Sequence, residues 1–172
     1  MTVPTETETL PSTVSEAEYK HAMRRVVSPV AVITASAGSA RNGLTATAIC
    51  SATTEPPTIV VCVNRQARAL SLIEASRAFA VNFLSDQQSD LARAFSTHGL
   101  EGETRLGSGS WTTLQTGAPI LDEAVSAFDC QLETSLTHGT HEILFGRVVG
   151  VTSTDFNALL YRDGFFRRIA PE

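Results

Sequence analysis

Residues Gly43 to Leu70 read GLTATAICSATTEPPTIVVCVNRQARAL. The first part, LTATAICSAT, carries small, β-branched and hydroxyl side chains, the composition of a strand. Pro56-Pro57 breaks the chain, and TIVVCVN follows as an apolar run flanked by breakers, which predicts a central strand buried on both faces. RQARALSLIEAS then predicts a short helix. Small side chains at Ala46, Ala48 and Ala52 let a backbone wall come close to a flat aromatic ligand, while Thr45, Thr47 and Ser51 offer hydroxyls and backbone N–H groups to its polar edge. Read alone, TATAICSAT is equally an ordinary strand whose small residues pack against a helix. Arg65 and Arg68 stand where an apolar strand passes into a helix, and a guanidinium beside a helix N-terminus suits a phosphate. The same two residues also fit solvated charge on a helix surface.

Outward from this segment the pattern stays strand-rich. Residues 1–14, MTVPTETETLPSTV, are too polar to bury a core and predict a flexible tail. Ser15 and Glu18 have capping-box spacing, and Tyr19, Ala22, Met23 and Val26 recur at helical intervals, which predicts a helix of about three turns ended by Pro29. VAVITAS predicts a strand, stopped by Ala37-Gly38-Ser39 and resumed as a hairpin partner after Asn42-Gly43. In RAFAVNFLS, Phe79, Val81 and Phe83 alternate with smaller residues, and Asn82 needs a hydrogen-bond partner if buried. DQQSDLARAFS returns to helical spacing. Thr97 to Ser110 contains four glycines and predicts a mobile surface loop able to cover a ligand. The last third is strand after strand joined by Gly, Asp or Asn turns. The whole predicts a mainly β fold with a few helices, a closed antiparallel barrel occupying residues 15–172 as one domain.

Composition excludes several functions. With 13 basic and 18 acidic residues and a net charge of −5, the chain has no global attraction for nucleic acid or for an anionic membrane surface. No apolar run approaches the roughly 20 residues that span a bilayer, and the N-terminus lacks a basic and apolar leader, so the expected location is the cytoplasm. Cys50, Cys62 and Cys130 are widely spaced and lie in strand-like contexts; they predict packing thiols rather than a zinc site. The chain has no G-x-S-x-G elbow, Walker A loop, H-E-x-x-H or complete G-x-G-x-x-G, and Gly107-Ser108-Gly109-Ser110 reads as a flexible loop. No metal is expected.

Together with FAVNFLSDQQSDLARAF, GAPIL, FDCQLE, GTHEILFGRV and LLYRDGFFRR, the Gly43–Leu70 segment resembles the flavin reductase-like domain family over nearly everything after the tail. Within it the chain is most similar to the reductases paired with 4-hydroxyphenylacetate monooxygenases and with the pyrimidine-degradation oxygenase. The resemblance implies a split β-barrel of Greek-key type that binds flavin as a homodimer. It implies an NADH-dependent flavin reductase, with NADPH as the alternative donor, that supplies diffusible reduced FMN or FAD to a flavin-dependent monooxygenase. The rival is a flavin- or haem-binding split barrel without reductase turnover. The implied flavin neighbourhood is Thr45, Ala46, Thr47, Ala48, Ser51, Ala52, Cys62, Asn64, Arg65, Arg68 and Asn82, with Gln87 and Gln88 as weaker candidates. On the nicotinamide side it implies His141, Tyr161 and Phe165, with an arginine of the strand from Tyr161 to Arg168 nearby. His141 would orient the dinucleotide, because hydride transfer needs positioning and no side-chain nucleophile; alone, a histidine opening a strand is also a structural residue. Two positions depart from the family pattern: Ala69, where many relatives carry a hydroxyl, and Thr140, where the Gly-Asp-His motif has aspartate.

Overall fold

The computed structural model describes residues 13–170, so all but the end of the expected tail lies outside the described residues. The chain begins with α1 (Glu16–Met23), β1 (Ser28–Pro29), β2 (Ala31–Ala37), β3 (Ala40–Ala46), β4 (Ile49–Thr54) and β5 (Pro57–Asn64). There follow α2 (Arg68–Ser76), β6 (Ala78–Phe83), α3 (Ser89–Ser96), α4 (Gly102–Leu106), β7 (Trp111–Thr113) and β8 (Pro119–Leu121). The chain ends with the long hairpin β9 (Ser126–His138) and β10 (His141–Ser153), then β11 (Leu160–Arg162) and β12 (Phe165–Arg167). The fold is mainly β with helices between strands.

Seven strands form one antiparallel sheet in the order β3-β2-β6-β9-β10-β5-β4. LTATAICSAT is therefore not one strand: it breaks at Thr47-Ala48, and its halves, β3 and β4, are the two opposite edges of the sheet. Two linking residues reach about 11 Å at most between Ala46 and Ile49. The sheet has to curl until its edges come together at that corner, where the Cys62 N–H donates to the Ala48 carbonyl at 3.0 Å.

The hairpin of β2 and β3 turns at Gly38-Ser39, with Gly38 at φ 59°, and not at Asn42-Gly43. Gly43 is needed inside the strand for close approach: a Cβ there would lie 2.6 Å from the Ile33 carbonyl oxygen and 2.7 Å from the Phe95 ring. β2 feeds both halves of the core by its period of two. Val30 and Val32 pack with Leu84, Phe95 and Ile120 on one side. Ala31 and Ile33 pack with Val61, Ile73, Phe79 and Leu144 on the other.

β5 lies inside the sheet, but only its Ile59, Val61 and Val63 face is buried; Val60 and Cys62 are half-buried. The expected burial is met on the face that packs against Leu70 and Ile73 of α2, and Val60 and Cys62 on the other face stay half-buried. α1 carries the expected capping box but spans only eight residues and buries none of them. The i to i+3 bonds from Arg25 and Val26 to Ala22 and Met23 tighten the chain before it can reach Pro29. Residues Thr97 to Ser110 do not form an open loop. α4 is fastened to β3 by Arg41, whose guanidinium grips both carboxylate oxygens of Glu103 at 3.0 and 2.5 Å, and Leu106 is buried in the core. All three cysteines are free; Cys130 is buried and Cys62 half-buried, whereas Cys50 is exposed on edge strand β4 and does not pack. No helix among the described residues is long and apolar enough to cross a membrane.

Candidate functional site

β5 ends at Asn64, whose side-chain oxygen accepts the Gln66 N–H at 2.9 Å and turns the chain toward α2. Ala67 occupies the cap position of α2 and makes no side-chain cap bond, so the helix presents free N–H groups at its start. Ala69 in the first turn is 1% exposed; a hydroxyl there would lose water to the core, which accounts for the alanine. The turn between β9 and β10 lies alongside: the Arg65 N–H donates to the Thr140 carbonyl at 3.0 Å, and His141 is paired in register with Asn64.

Facing this junction are Gly43, Leu44 and Thr45 of β3, Phe95 and Ser96 at the end of α3, the Thr97–Gly99 turn, and Arg105 of α4. With Asn64, Gln66, Ala67 and Arg68 they enclose a cavity of about 350 Å³. Its charge is cationic and under-satisfied. Arg105 donates from one terminal nitrogen to the Gly43 carbonyl and from the other to the Thr97 carbonyl, both at 2.7 Å, while its buried Nε has no partner. Burial, and after it the neighbouring Arg68 guanidinium, pushes Arg105 below the usual arginine range, and Glu101 pulls it back. Two guanidiniums and an uncapped helix start around a cavity of ligand size fit a phosphorylated aromatic molecule.

The expected wall does not form one surface. Thr45 lines this cavity with Asn64 and Arg68, though its hydroxyl donates to the Ala92 carbonyl at 2.7 Å and keeps only acceptor capacity. Thr47 lies with Tyr161, Tyr19, Lys20 and Met23 in a second cavity of about 320 Å³. Ser51 lies in a third, apolar one of about 410 Å³ with Ile49, Cys50, Phe83, Phe128, Val148 and Val151. The division follows from the strand break: residues before and after Thr47-Ala48 belong to opposite sheet edges. Ala46 is buried in the core, Ala48, Ala52 and Arg65 are exposed, and Cys62 is half-buried; none of the five lines these cavities.

Asn82, expected in the flavin neighbourhood, is engaged within the core. It is fully buried, donates to the Val32 carbonyl and to Thr34 Oγ1, both at 3.1 Å, and accepts the Leu121 N–H at 2.8 Å. Its amide ties β2, β6 and β8 together. Gln88 is likewise engaged, accepting the Ser85 N–H and donating to the Glu123 carbonyl, and Gln87 bonds Asp86. His141 is exposed, with Nδ1 2.9 Å from Thr140 Oγ1. Tyr161 packs edge-on against Phe166, Phe165 stands 61% exposed under the Arg167 guanidinium, and Arg168 donates to the Asp86 carbonyl. Gly43, Phe95 and Arg105 had no place in the sequence-based site. An Asn-Gly pair signals a turn, and a glycine-rich stretch conceals a one-turn helix, so only the unusual cost of a glycine inside a strand marked the spot.

The chain is similar to known proteins over most of its length. The family model described as flavin reductase like domain matches residues 23–170. An FMN reductase (NADH) RutF from Stutzerimonas stutzeri strain A1501 is 41% identical over 145 residues, covering 84% of this chain and 83% of the relative. A provisionally named flavin reductase from Haemophilus somnus 129PT superposes with a TM-score of 0.88 at 38% identity, covering 91% of this chain and all of the other. BorF, the flavin reductase component of a bacterial two-component tryptophan halogenase, superposes with a TM-score of 0.83 at 25% identity, over 92% of this chain and all of its own.

Proposed function

This chain belongs to the flavin reductase like domain family, and from that premise we propose that it uses NADH to reduce FMN, which then leaves to serve a flavin-dependent monooxygenase. The observation that carries the reading is the cavity between β3 and the β5–α2 junction, with Arg68, Arg105 and the free α2 N–H groups around it. Arg68, Arg105 and the α2 start would hold the phosphate; Thr45 and Asn64 would meet the polar edge of the ring system. Bound flavin supplies the acceptor for two electrons from the nicotinamide. His141, beside Asn64 in the sheet, would orient the dinucleotide, and Tyr161 and Phe165 would extend the nicotinamide side. With no side-chain nucleophile required, catalysis rests on holding two planar groups in register. A site assembled from hydroxyls, amides and two arginines binds with the moderate strength that release requires. FAD fits the same phosphate grip, and NADPH is the alternative donor.

The finer architecture belongs to the same proposal: a split barrel of Greek-key type, acting as a homodimer in the cytoplasm, where free thiols stay reduced. Two features support the dimer. α1 buries nothing within its own chain, yet eight residues are too few for a helix stable alone. An apolar cavity lined by Phe83, Phe128, Val148 and Val151 opens at the sheet surface. Light scattering should give twice the chain mass, and Val151→Glu should halve it.

Consumption of NADH in the presence of FMN, FAD or riboflavin tests the activity. The expected result is turnover with all three and a lower Michaelis constant for the phosphorylated flavins. Flavin binding without NADH turnover would leave the binding-only reading in place, and no effect of any flavin would overturn both.

A further inference from the structure

Glu101 is badly placed for an ordinary role. It stands at the cap position of α4, yet its side chain makes no cap bond and reaches across to Arg68, with Oε1 2.7 Å from Nη1. Its backbone position is fixed from the next residue: a Cβ on Gly102 would run into the Arg41 carbonyl, so the chain there is pressed onto β3. The Arg41–Glu103 pair clamps the following turn. The carboxylate is therefore held within reach of Arg68 at the cavity mouth while staying accessible to solvent. Around it are two guanidiniums, of which Arg105 is satisfied by neutral carbonyls alone and keeps a buried Nε without a partner. Two cations and one anion leave a surplus positive charge, and the one anion sits on the guanidinium that lines the cavity mouth.

We infer that Glu101 is a built-in competitor of the flavin phosphate: it neutralises Arg68 when no anion is bound, yields Arg68 when a phosphorylated flavin enters, and takes it back as reduced flavin leaves. This rests on the reading that the cavity between β3 and α2 receives the phosphate. Glu101 then governs affinity and release for phosphorylated flavins alone, since riboflavin has nothing to contest Arg68. The pair is exposed, with side chains 58% and 75% accessible, so the effect is modest: about fivefold rather than a hundredfold.

The test uses Glu101→Gln, Arg68→Ala and the double variant in the full-length protein, with FMN and riboflavin affinities read by flavin fluorescence and release read by stopped flow. Glu101→Gln should tighten FMN about fivefold and slow its release in proportion, with riboflavin changed less than about twofold. In the Arg68→Ala background the same substitution should do nothing. If Glu101→Gln leaves FMN unchanged or weakens it while Arg68→Ala weakens FMN selectively, the competitor is overturned and the cavity reading stands. If Arg68→Ala also treats FMN and riboflavin alike, the cavity reading falls with it.

Discussion

Asn82 and Arg105 are polar side chains with buried nitrogens, and they are built in opposite ways. Asn82 joins β6 to β2 and β8 with every part of its amide engaged by backbone or by Thr34. Arg105 spends its terminal nitrogens on two carbonyls and leaves its buried Nε with nothing. A buried network that is complete holds elements together, whereas an unpaired guanidinium nitrogen beside a cavity leaves positive charge that favours an anion there. The two regions should therefore respond differently to mutation, one through stability and the other through ligand preference.

The largest effect belongs to Asn82→Ala, which removes the donor to the Val32 carbonyl and Thr34 Oγ1 and leaves the Leu121 N–H without its acceptor in the core. It should cost about 3 kcal/mol of stability, or roughly 6 to 12 °C in melting temperature for a chain of this size, and leave the ratio of FMN to riboflavin affinity unchanged. A variant that melted normally and lost flavin would reverse the comparison. Arg105→Met should weaken FMN by about 2 kcal/mol, roughly thirtyfold, with riboflavin affected far less and with a smaller fall in melting temperature than Asn82→Ala. Equal weakening of both flavins would place Arg105 among the structural residues.

Much of the strand pattern was legible because it rests on local chemistry. The capping box at Ser15, the β2 strand, the α2 start after Asn64 and the strand through Phe79 and Val81 each follow from spacing within a few residues. What escaped was long-range. Nothing within LTATAICSAT says that Thr47-Ala48 carries the chain from one edge of a seven-stranded sheet to the other, so hydroxyls expected on one wall face three cavities. Asn42-Gly43 looks like a turn until Phe95, far along the chain, claims the space of a Cβ. Asn82 could be flagged as needing a partner, but its partners lie on β2 and β8. Arg68 could be proposed because a helix start and a cation suit a phosphate on local grounds; Arg105 could not, because its place beside the cavity comes from Gly43 and Thr97.

Cys130 extends the contrast to pH. Its thiol, buried in the interior, is pushed up to about 12, first by burial and then by the charge of Asp129. A folded-state value above the unfolded one stabilises the protein fully below the ordinary thiol value of 9.0 and loses that contribution as pH rises toward 12. At pH 10 the unfolded thiol has ionised and the folded one has not, which removes about 1.4 kcal/mol relative to pH 8. Denaturant melts of wild type and Cys130→Ala at both pH values should show this difference in slope, and Cys130 should resist a disulfide reagent in the folded protein. Early labelling of Cys130 would mean that the interior opens far more readily than its packing implies.

His141 should give the smallest effect and the most selective one. It is exposed, so its removal opens no cavity and strands no buried group, and the melting temperature should stay within about a degree. Its place in the sheet opposite Asn64, one residue after the Thr140 carbonyl that holds Arg65, puts an imidazole beside the mouth of the cationic cavity without lining it. A residue so placed can touch a second ligand that stacks over the first. His141→Ala should therefore lower kcat/KM for NADH by about fivefold, the value of one hydrogen bond near 1 kcal/mol, through a raised KM with flavin affinity unchanged. His141→Gln, which keeps a donor at similar reach, should recover part of the loss. If FMN binding and NADH kinetics fell together, His141 would belong with Arg68 at the flavin; if neither moved, the turn between β9 and β10 would serve only to brace the β5–α2 junction.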